Sequence, residues 1–202
     1  MSDPAPGKRA QTKQANRDAI LQAARELFAE TGYGETTVRD IVRRTGLASG
    51  TFYNYFLSKE EIFNAVRNET AARVRPRLRA ERAQAISFED FIFRTFRSFF
   101  EIIAANPNLY AVIRRNSGML QAQDGAREIA AGFDELRSDV EDAVRRSLLP
   151  DIDIDLFVAA LMGVALETGD AMIRRPAVDV EATAKFAAAL FNGGIPALPR
   201  RG

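Results

Sequence analysis

Apolar residues recur at intervals of three and four along most of the chain, which is the spacing of one face of an α-helix. No segment alternates apolar and polar residues over the length of a strand. The sequence therefore predicts an all-α fold. Its predicted helices cover residues 16–31, 38–45, 49–56, 60–84 with an interruption near Pro76, 87–105, 107–115, 119–148, 155–174 and 180–192.

The first 66 residues contain short helices with clear start and stop signals. Thr37 and Asp40 have the spacing of a capping box, and Gly46 is placed to end the helix that they begin. Phe52 and Phe56 lie four residues apart, so they share one face of the next helix. Three short helices and the start of a fourth in about 50 residues are typical of a small recognition module.

Composition changes along the chain suggest three parts. Residues 1–15 are polar, include Lys8, Arg9 and Lys13, and are predicted to form a flexible basic arm before a helix capped by Asn16. Residues 16–66 are predicted to form the recognition module. Residues 67–202 are predicted to form a larger helical domain.

Composition also excludes several classes of chemistry. Among 202 residues there is no Cys and no His, which removes thiolate and imidazole metal ligands, cysteine nucleophiles and the commonest general base. No Gly-rich phosphate loop is present. We therefore predict no enzyme activity, no catalytic residue, no metal and no cofactor.

The net charge of +1 gives no overall attraction to nucleic acid, so any DNA hypothesis depends on local pattern. The N-terminus lacks the apolar segment of a secretory signal. The longest apolar run, 157–166, is about half the length of a membrane-spanning helix. These features predict a cytoplasmic protein without a membrane partner.

The segment TTVRDIVRRTGLASGTFYNYFLSKEEI, residues 36–62, resembles the DNA-binding region of the TetR/AcrR family of transcriptional regulators. The resemblance extends over roughly residues 16–66. One departure is Ala48, where the family often has Ser as the cap of the recognition helix, so Ser49 is a candidate cap instead. The resemblance implies an N-terminal three-helix helix-turn-helix domain and a C-terminal helical domain that binds a ligand and dimerises.

The same residues suit DNA recognition on physical grounds. A helix-turn-helix buries one side of its second helix and keeps the other side free for the major groove. With Phe52 and Phe56 inside, Thr51, Tyr53, Asn54 and Tyr55 face outward, and Gly50 lets backbone come close to a phosphate or to the first helix. Taken singly, Lys59 is better explained as a solvated lysine, and Tyr53 and Tyr55 are equally well explained as packing residues.

The resemblance also implies roles for individual residues. It places Thr37, Tyr53, Tyr55 and Lys59 at phosphates, and Ser49, Thr51 and Asn54 toward the bases. Arg39, Arg43 and Arg44 are candidates for further backbone contacts, and the basic arm for a minor groove. The predicted DNA-binding residues are Thr37, Arg39, Ser49, Gly50, Thr51, Tyr53, Asn54, Tyr55 and Lys59.

The last two helices carry many small residues, which allow two helices to approach closely. On residues 155–174 these are Ala159, Ala160, Gly163, Ala165 and Gly169; on 180–192 the stripe is Ala184, Ala187, Ala188, Leu190 and Phe191. Together they suit a two-fold, four-helix homodimer interface. Packing within one chain is the alternative.

The helix after Ser87 contains six phenylalanines, more than one buried stripe requires. Some of these rings are candidates for lining an apolar ligand cavity, with a few polar groups to orient the ligand. Simple core packing is the alternative for each residue. The candidate effector-binding residues are Phe96, Phe99, Phe100, Tyr110, Arg114, Met119, Met162, Leu166, Glu167 and Asp170.

The sequence thus predicts a ligand-responsive transcriptional regulator. It would bind double-stranded, palindromic operator DNA as a homodimer, act by default as a repressor, and release DNA when a small, largely apolar effector binds. The alternative is an architectural DNA-binding protein without an effector.

Overall fold

The computed structural model describes residues 7–116 and 127–194, and these residues are mainly helical. Within those ranges the helices follow one another without an intervening strand, as predicted. In chain order they are α1 Lys8–Thr31, α2 Val38–Thr45, α3 Ser49–Tyr53, α4 Lys59–Ala83, α5 Phe88–Ala105, α6 Pro107–Asn116, α7 Arg127–Arg145, α8 Ile154–Ile173 and α9 Val180–Gly194.

The chain divides into two compact units. Among the described residues, the first unit comprises 7–69 and 111–116, and the second comprises 70–110 and 127–194. Helices α4 and α6 each contribute residues to both units. The division after Glu69 lies close to the predicted one at residue 66, but residues 111–116 group with the first unit, which the sequence did not indicate.

The first unit has a core of apolar side chains from α1, α2, α3 and α4. Phe28, Tyr33 and Phe63 form a cluster of rings with centroids 4.7 to 5.6 Å apart. Around this cluster, α1 buries Ile20, Leu21, Ala24 and Leu27, α2 buries Ile41, α3 buries Phe52, and α4 buries Ile62 and Val66. Burial of these side chains from every helix holds α2 and α3 on α1 and α4.

The second unit has a separate core formed by α5, α7, α8 and α9. A continuous series of ring contacts, with centroids 5.6 to 6.3 Å apart, runs through Phe88, Phe157, Phe191, Phe96, Phe100, Phe99 and Tyr110. Gly169 brings α8 close to α5, because a Cβ there would lie 2.6 Å from Ile103 Cδ1.

Helix α1 begins at Lys8, much earlier than the predicted cap at Asn16, so the expectation of a flexible arm is wrong for residues 8–15. Gly7 occupies the N-cap position and residues 8–15 are exposed but helical. Ala, Lys, Arg and Gln are good helix formers, and this composition extends the helix without burial. Residues 1–6 lie outside the described residues.

Helix α4 continues through Pro76, where an interruption was expected. A proline removes one backbone donor and crowds the preceding turn, so neighbouring contacts must compensate. Arg75 donates to Glu135 on α7 at 2.5 Å, and Arg77 donates to Glu101 on α5 at 2.6 Å. These two ion pairs hold the helix on either side of the proline.

Helix α8 has a mean hydropathy of 1.6 and is long and apolar enough, by length and composition, to cross a membrane. The uninterrupted apolar run, residues 157–166, is only part of this helix, so the length of apolar helix predicted from that run was too short. One such helix is weak support for a membrane span, because core helices share these properties. Here α8 buries Phe157, Leu161, Ala165 and Met172 against the second core.

Candidate nucleic-acid interface

Helices α2 and α3 form a helix-turn-helix whose ends are defined by local hydrogen bonds. The predicted capping box is confirmed, since Asp40 N–H donates to Thr37 Oγ1 at 3.2 Å and Thr37 N–H donates to Asp40 Oδ2 at 3.0 Å. The Thr37 hydroxyl also donates to Asp40 Oδ2 at 2.6 Å, and this bond, followed by the one from Thr37 N–H, holds the pKa of the Asp40 carboxyl below its usual value. Gly46 ends α2 in the left-handed conformation, with φ of 68°.

Helix α3 buries one side and exposes the other, as predicted. Phe52 is fully buried and Phe56 is 3% exposed, with their ring centroids 6.5 Å apart. The next residue, Tyr53, is 54% exposed although its ring packs edge-on against Phe52 at 5.3 Å. Of these two adjacent side chains, Phe52 therefore packs in the core and Tyr53 lies at the surface.

The predicted DNA-binding residues lie on and around α2 and α3, and each is at least partly exposed. Thr37, Arg39, Ser49, Gly50, Tyr53 and Asn54 are exposed, whereas Thr51, Tyr55 and Lys59 are half-buried. Ala48 caps α3 without a side-chain hydrogen bond, so Ser49 is the first residue of the helix and not its cap. A Cβ on Gly50 would meet nothing within 4 Å, which excludes close packing against α1 as the reason for this glycine.

Lys59 is not simply solvated. Its ammonium donates to the carbonyls of Tyr33 at 2.9 Å and Gly34 at 3.2 Å, and it lies 4.4 Å from the centre of the Tyr33 ring. The Tyr33 hydroxyl donates to Glu60 at 3.0 Å. Burial and this carboxylate raise the pKa of Tyr33 to about 12. Lys59 thus joins the start of α4 to the α1–α2 connection.

Arg44 also has protein partners, which makes it a weaker candidate for a DNA contact than the sequence suggested. It donates to Glu30 at 2.8 Å and to Glu26 at 3.4 Å, so it ties α2 to α1. The hydrogen bond from Arg44 lowers the pKa of Glu30. Arg39 and Arg43 are exposed on the same helix.

Sequence reasoning missed three residues beside this surface. Asn16, expected as a cap, donates from Nδ2 to the Tyr55 hydroxyl at 3.4 Å. The Arg17 guanidinium lies 5.6 Å from the centre of the Phe56 ring. Leu57, in the turn before α4, is 80% exposed. The polar character of residues 8–15 was the available signal, but it was interpreted as part of a flexible arm that ended before Asn16.

The predicted effector-binding residues do not form one group. Phe96 and Phe100 are fully buried in the second core, which favours the packing alternative for both. Phe99, Tyr110 and Met162 are partly buried around that core. Leu166 is half-buried, and its carbonyl accepts a hydrogen bond from the Tyr110 hydroxyl at 3.4 Å. Asp170 is half-buried and Glu167 is exposed. Arg114 belongs to the first unit, and Met119 lies outside the described residues.

The predicted dimer stripe on α9 is partly wrong. Ala184, Ala187 and Ala188 are buried within the second core, as are Ala165 and Gly169 of α8. Small residues occur on several sides of both helices, so their spacing alone did not identify the side that is buried. The exposed apolar residues of the two helices include Leu156, Ala159, Ala160, Gly163 and Ala171 on α8 and Ala182, Phe186, Ala189 and Leu190 on α9.

Comparison with known proteins agrees with the geometry of the first unit. Residues 20–66 match the family model of bacterial regulatory proteins, tetR family. The matched region contains α2, α3 and their buried supports, and it defines a helix-turn-helix protein. Residues 20–66 are therefore similar to the helix-turn-helix domain that this family model describes.

A relative from Haemophilus influenzae, described as an uncharacterized HTH-type transcriptional regulator, is 31% identical over 134 residues. The match covers 64% of this chain and 65% of the relative. The chain thus spans slightly less than two thirds of that protein's length.

Solved structures show the same fold over nearly the whole chain. The fatty acid degradation regulator FadR from Bacillus halodurans has a TM-score of 0.75 at 22% identity, covering 93% of this chain and 96% of its own. FadR from Bacillus subtilis, solved in complex with stearoyl-CoA, has a TM-score of 0.74 at 22% identity, covering 88% and 98%. At these identities the similarity establishes the all-helical architecture.

Proposed function

We propose that this chain is a cytoplasmic, ligand-responsive transcriptional repressor that binds palindromic operator DNA as a homodimer. The observation that carries the proposal is the helix-turn-helix, in which Phe52 is buried while Tyr53 and Asn54 are exposed. A surface helix needs no such arrangement for stability alone, because exposed aromatic side chains gain little from solvent. A duplex in contact with this surface would explain it.

The proposed DNA contacts divide into two sets. Ser49, Thr51 and Asn54 on and after α3 are proposed to face base edges in the major groove, with Gly50 allowing close approach of its backbone. Thr37, Arg39, Tyr53, Tyr55 and Lys59 are proposed to bind phosphates, which fix the position of the domain. Lys59 retains one N–H donor for this purpose after its bonds to Tyr33 and Gly34.

The apolar surface of α8 and α9 supports the dimer. Leu156 is 70% exposed, Phe186 60% and Leu190 52%, and small residues lie between them on the exposed side of α8. Large apolar side chains grouped with small ones are unusual on a monomer, and they allow helices of two copies to pack closely. We propose that this surface packs against its own copy around a two-fold axis.

The effector is proposed to be a small molecule with a long apolar part. The fold is shared with a FadR that binds stearoyl-CoA, and the partly buried Phe99, Tyr110, Met162 and Leu166 offer apolar contacts. Phe96 and Phe100 are fully buried, with Phe100 in ring contact with Phe99, so they would contact a ligand only after rearrangement.

Selection of DNA from a random-sequence duplex pool tests the proposal. The purified protein should enrich a palindrome whose half-sites are about 34–36 Å apart, because two recognition helices on one face of the duplex require that spacing. Stearoyl-CoA or a related acyl-CoA should then weaken binding by about 5- to 150-fold, the usual range of allosteric coupling. Unselective binding that acyl-CoA leaves unchanged would favour an architectural protein.

A further inference from the structure

The N-terminal part of α1 extends beyond the core of the first unit as an exposed, strongly basic helix. Between Gly7 and Arg17 the chain has four cationic residues and no acidic one. Burial begins only at Ile20. Because a helix rises 1.5 Å per residue, the segment from Lys8 to Asn16 projects about 12 Å past the last residues that contact the core.

The cations on this segment share a face. Arg9, Lys13 and Arg17 are spaced four residues apart, so they form one row along the helix. One α-helical turn is 3.6 residues, which places this row on the side of α1 that further along carries the buried Ile20 and Ala24. We name Arg9, Lys13 and Arg17 the α1 basic face.

Two contacts fix where this face lies. Asn16 bonds to the Tyr55 hydroxyl at 3.4 Å, and the Arg17 guanidinium lies 5.6 Å from the centre of the Phe56 ring. The row therefore starts beside the turn that follows α3 and continues away from it, with Lys13 and Arg9 about 6 and 12 Å beyond Arg17 along the axis. Asp18 bonds to Gln14 outside this row, at 2.8 Å.

Arg9 and Lys13 have no protein partner among the described residues, and both are exposed. Surface cations with no carboxylate nearby lower stability slightly through mutual repulsion, so packing does not account for them. The row that they extend starts at Arg17, next to Asn16 and its bond to Tyr55, and this favours duplex DNA as the ligand over other polyanions.

We propose that the α1 basic face binds backbone phosphates of duplex DNA next to the site occupied by α3, as a rigid helix and not as an arm inserted in the minor groove. This inference rests on the proposed function and adds a sequence-independent contact to it. Phosphate contacts of this kind strengthen binding to all sequences equally and make it depend on salt.

Salt dependence of DNA binding by R9Q/K13Q tests the proposal. Each phosphate contact contributes about 0.9 to the slope of log affinity against log salt, so losing two should make the slope shallower by about 1.8 for each protomer. A fourfold rise in salt concentration should then reduce the ratio of wild-type affinity to R9Q/K13Q affinity about twelvefold for each protomer. The loss should be equal for selected and scrambled duplexes. R146Q/R175Q, which removes two exposed cations from the second unit, is the matched control and should keep the wild-type slope.

Gln14→Pro separates a rigid helix from a flexible arm. The substitution breaks α1 before the core residues and keeps all four cations. A rigid basic face predicts that Q14P loses most of the contribution of Arg9 and Lys13, with the domain still folded by circular dichroism. Wild-type affinity in Q14P would overturn the rigid-helix proposal.

The outcomes distinguish this inference from the proposed function. If the wild type binds no duplex, the proposed function fails. If it binds and R9Q/K13Q has the wild-type slope, only the α1 basic face is refuted as a DNA contact. If R9Q/K13Q loses binding to vesicles with anionic lipids while its DNA binding is unchanged, the inference is also overturned and the α1 basic face is assigned to a membrane.

Discussion

Neighbouring residues Phe52 and Tyr53 should have opposite roles, and substituting each tests the construction of the helix-turn-helix. Phe52 is fully buried, and replacing a buried Phe with Ala costs about 3–5 kcal/mol. Small domains are typically stable by about 5–15 kcal/mol, so F52A should remove a large part of the stability of the first unit. Its DNA binding should fall because the domain unfolds.

Tyr53 should behave differently because more than half of its side chain is exposed. Tyr53→Phe keeps the edge-on contact with Phe52, so stability should change by less than about 0.5 kcal/mol. Loss of one hydrogen bond to a charged phosphate costs about 1.5–3 kcal/mol, or roughly tenfold to a hundredfold in affinity for each protomer.

Urea denaturation and fluorescence anisotropy with a labelled duplex separate the two effects. F52A should lower the denaturation midpoint, while Y53F should lower affinity at an unchanged midpoint. Equal loss of stability in both variants would refute the assignment of the two faces. Wild-type affinity in a folded Y53F would remove its hydroxyl from the interface.

Three further predictions concern the fold. Gly169→Ala should destabilise the second unit by about 1–3 kcal/mol through overpacking, and Ile103→Val in the same chain should restore much of the loss in a urea melt, because it removes the clashing methyl. Ser87→Ala should cost about 1 kcal/mol by removing the cap of α5, seen as a lower thermal midpoint; no change would mean that water replaces the cap. The raised pKa of Tyr33 contributes stability that is complete below pH 10 and is lost as pH rises toward 12, by about 2.7 kcal/mol. Tyr33→Phe should lose this part of the alkaline dependence, and an unchanged profile would contradict the assignment.

Local signals explain why the helix-turn-helix was predictable. The capping box of Thr37 and Asp40, the end of α2 at Gly46 and the four-residue spacing of Phe52 and Phe56 each involve residues close in sequence. Their geometry depends on backbone periodicity and on hydrogen bonds between residues close in sequence, so it can be inferred directly from residue types and spacing.

Features that depend on distant contacts were not predictable in the same way. Lys59 bonds to carbonyls 25 and 26 residues earlier, and no pattern around it indicates that contact. On α9, alanines occur on several sides, so only the position of α5 determines that Ala184 and Ala188 are buried while Phe186 is exposed. The exposed start of α1 was missed because polar, basic composition is shared by disordered arms and by solvated helices.

The most direct test of the central claim is selection from a random duplex pool at fixed salt, performed in parallel with the wild type and with folded Y53F. The account predicts that the wild type enriches one palindromic sequence and that Y53F binds the recovered duplex roughly tenfold to a hundredfold more weakly for each protomer. A folded wild-type protein that enriches no sequence, with or without acyl-CoA removed by refolding, would contradict it.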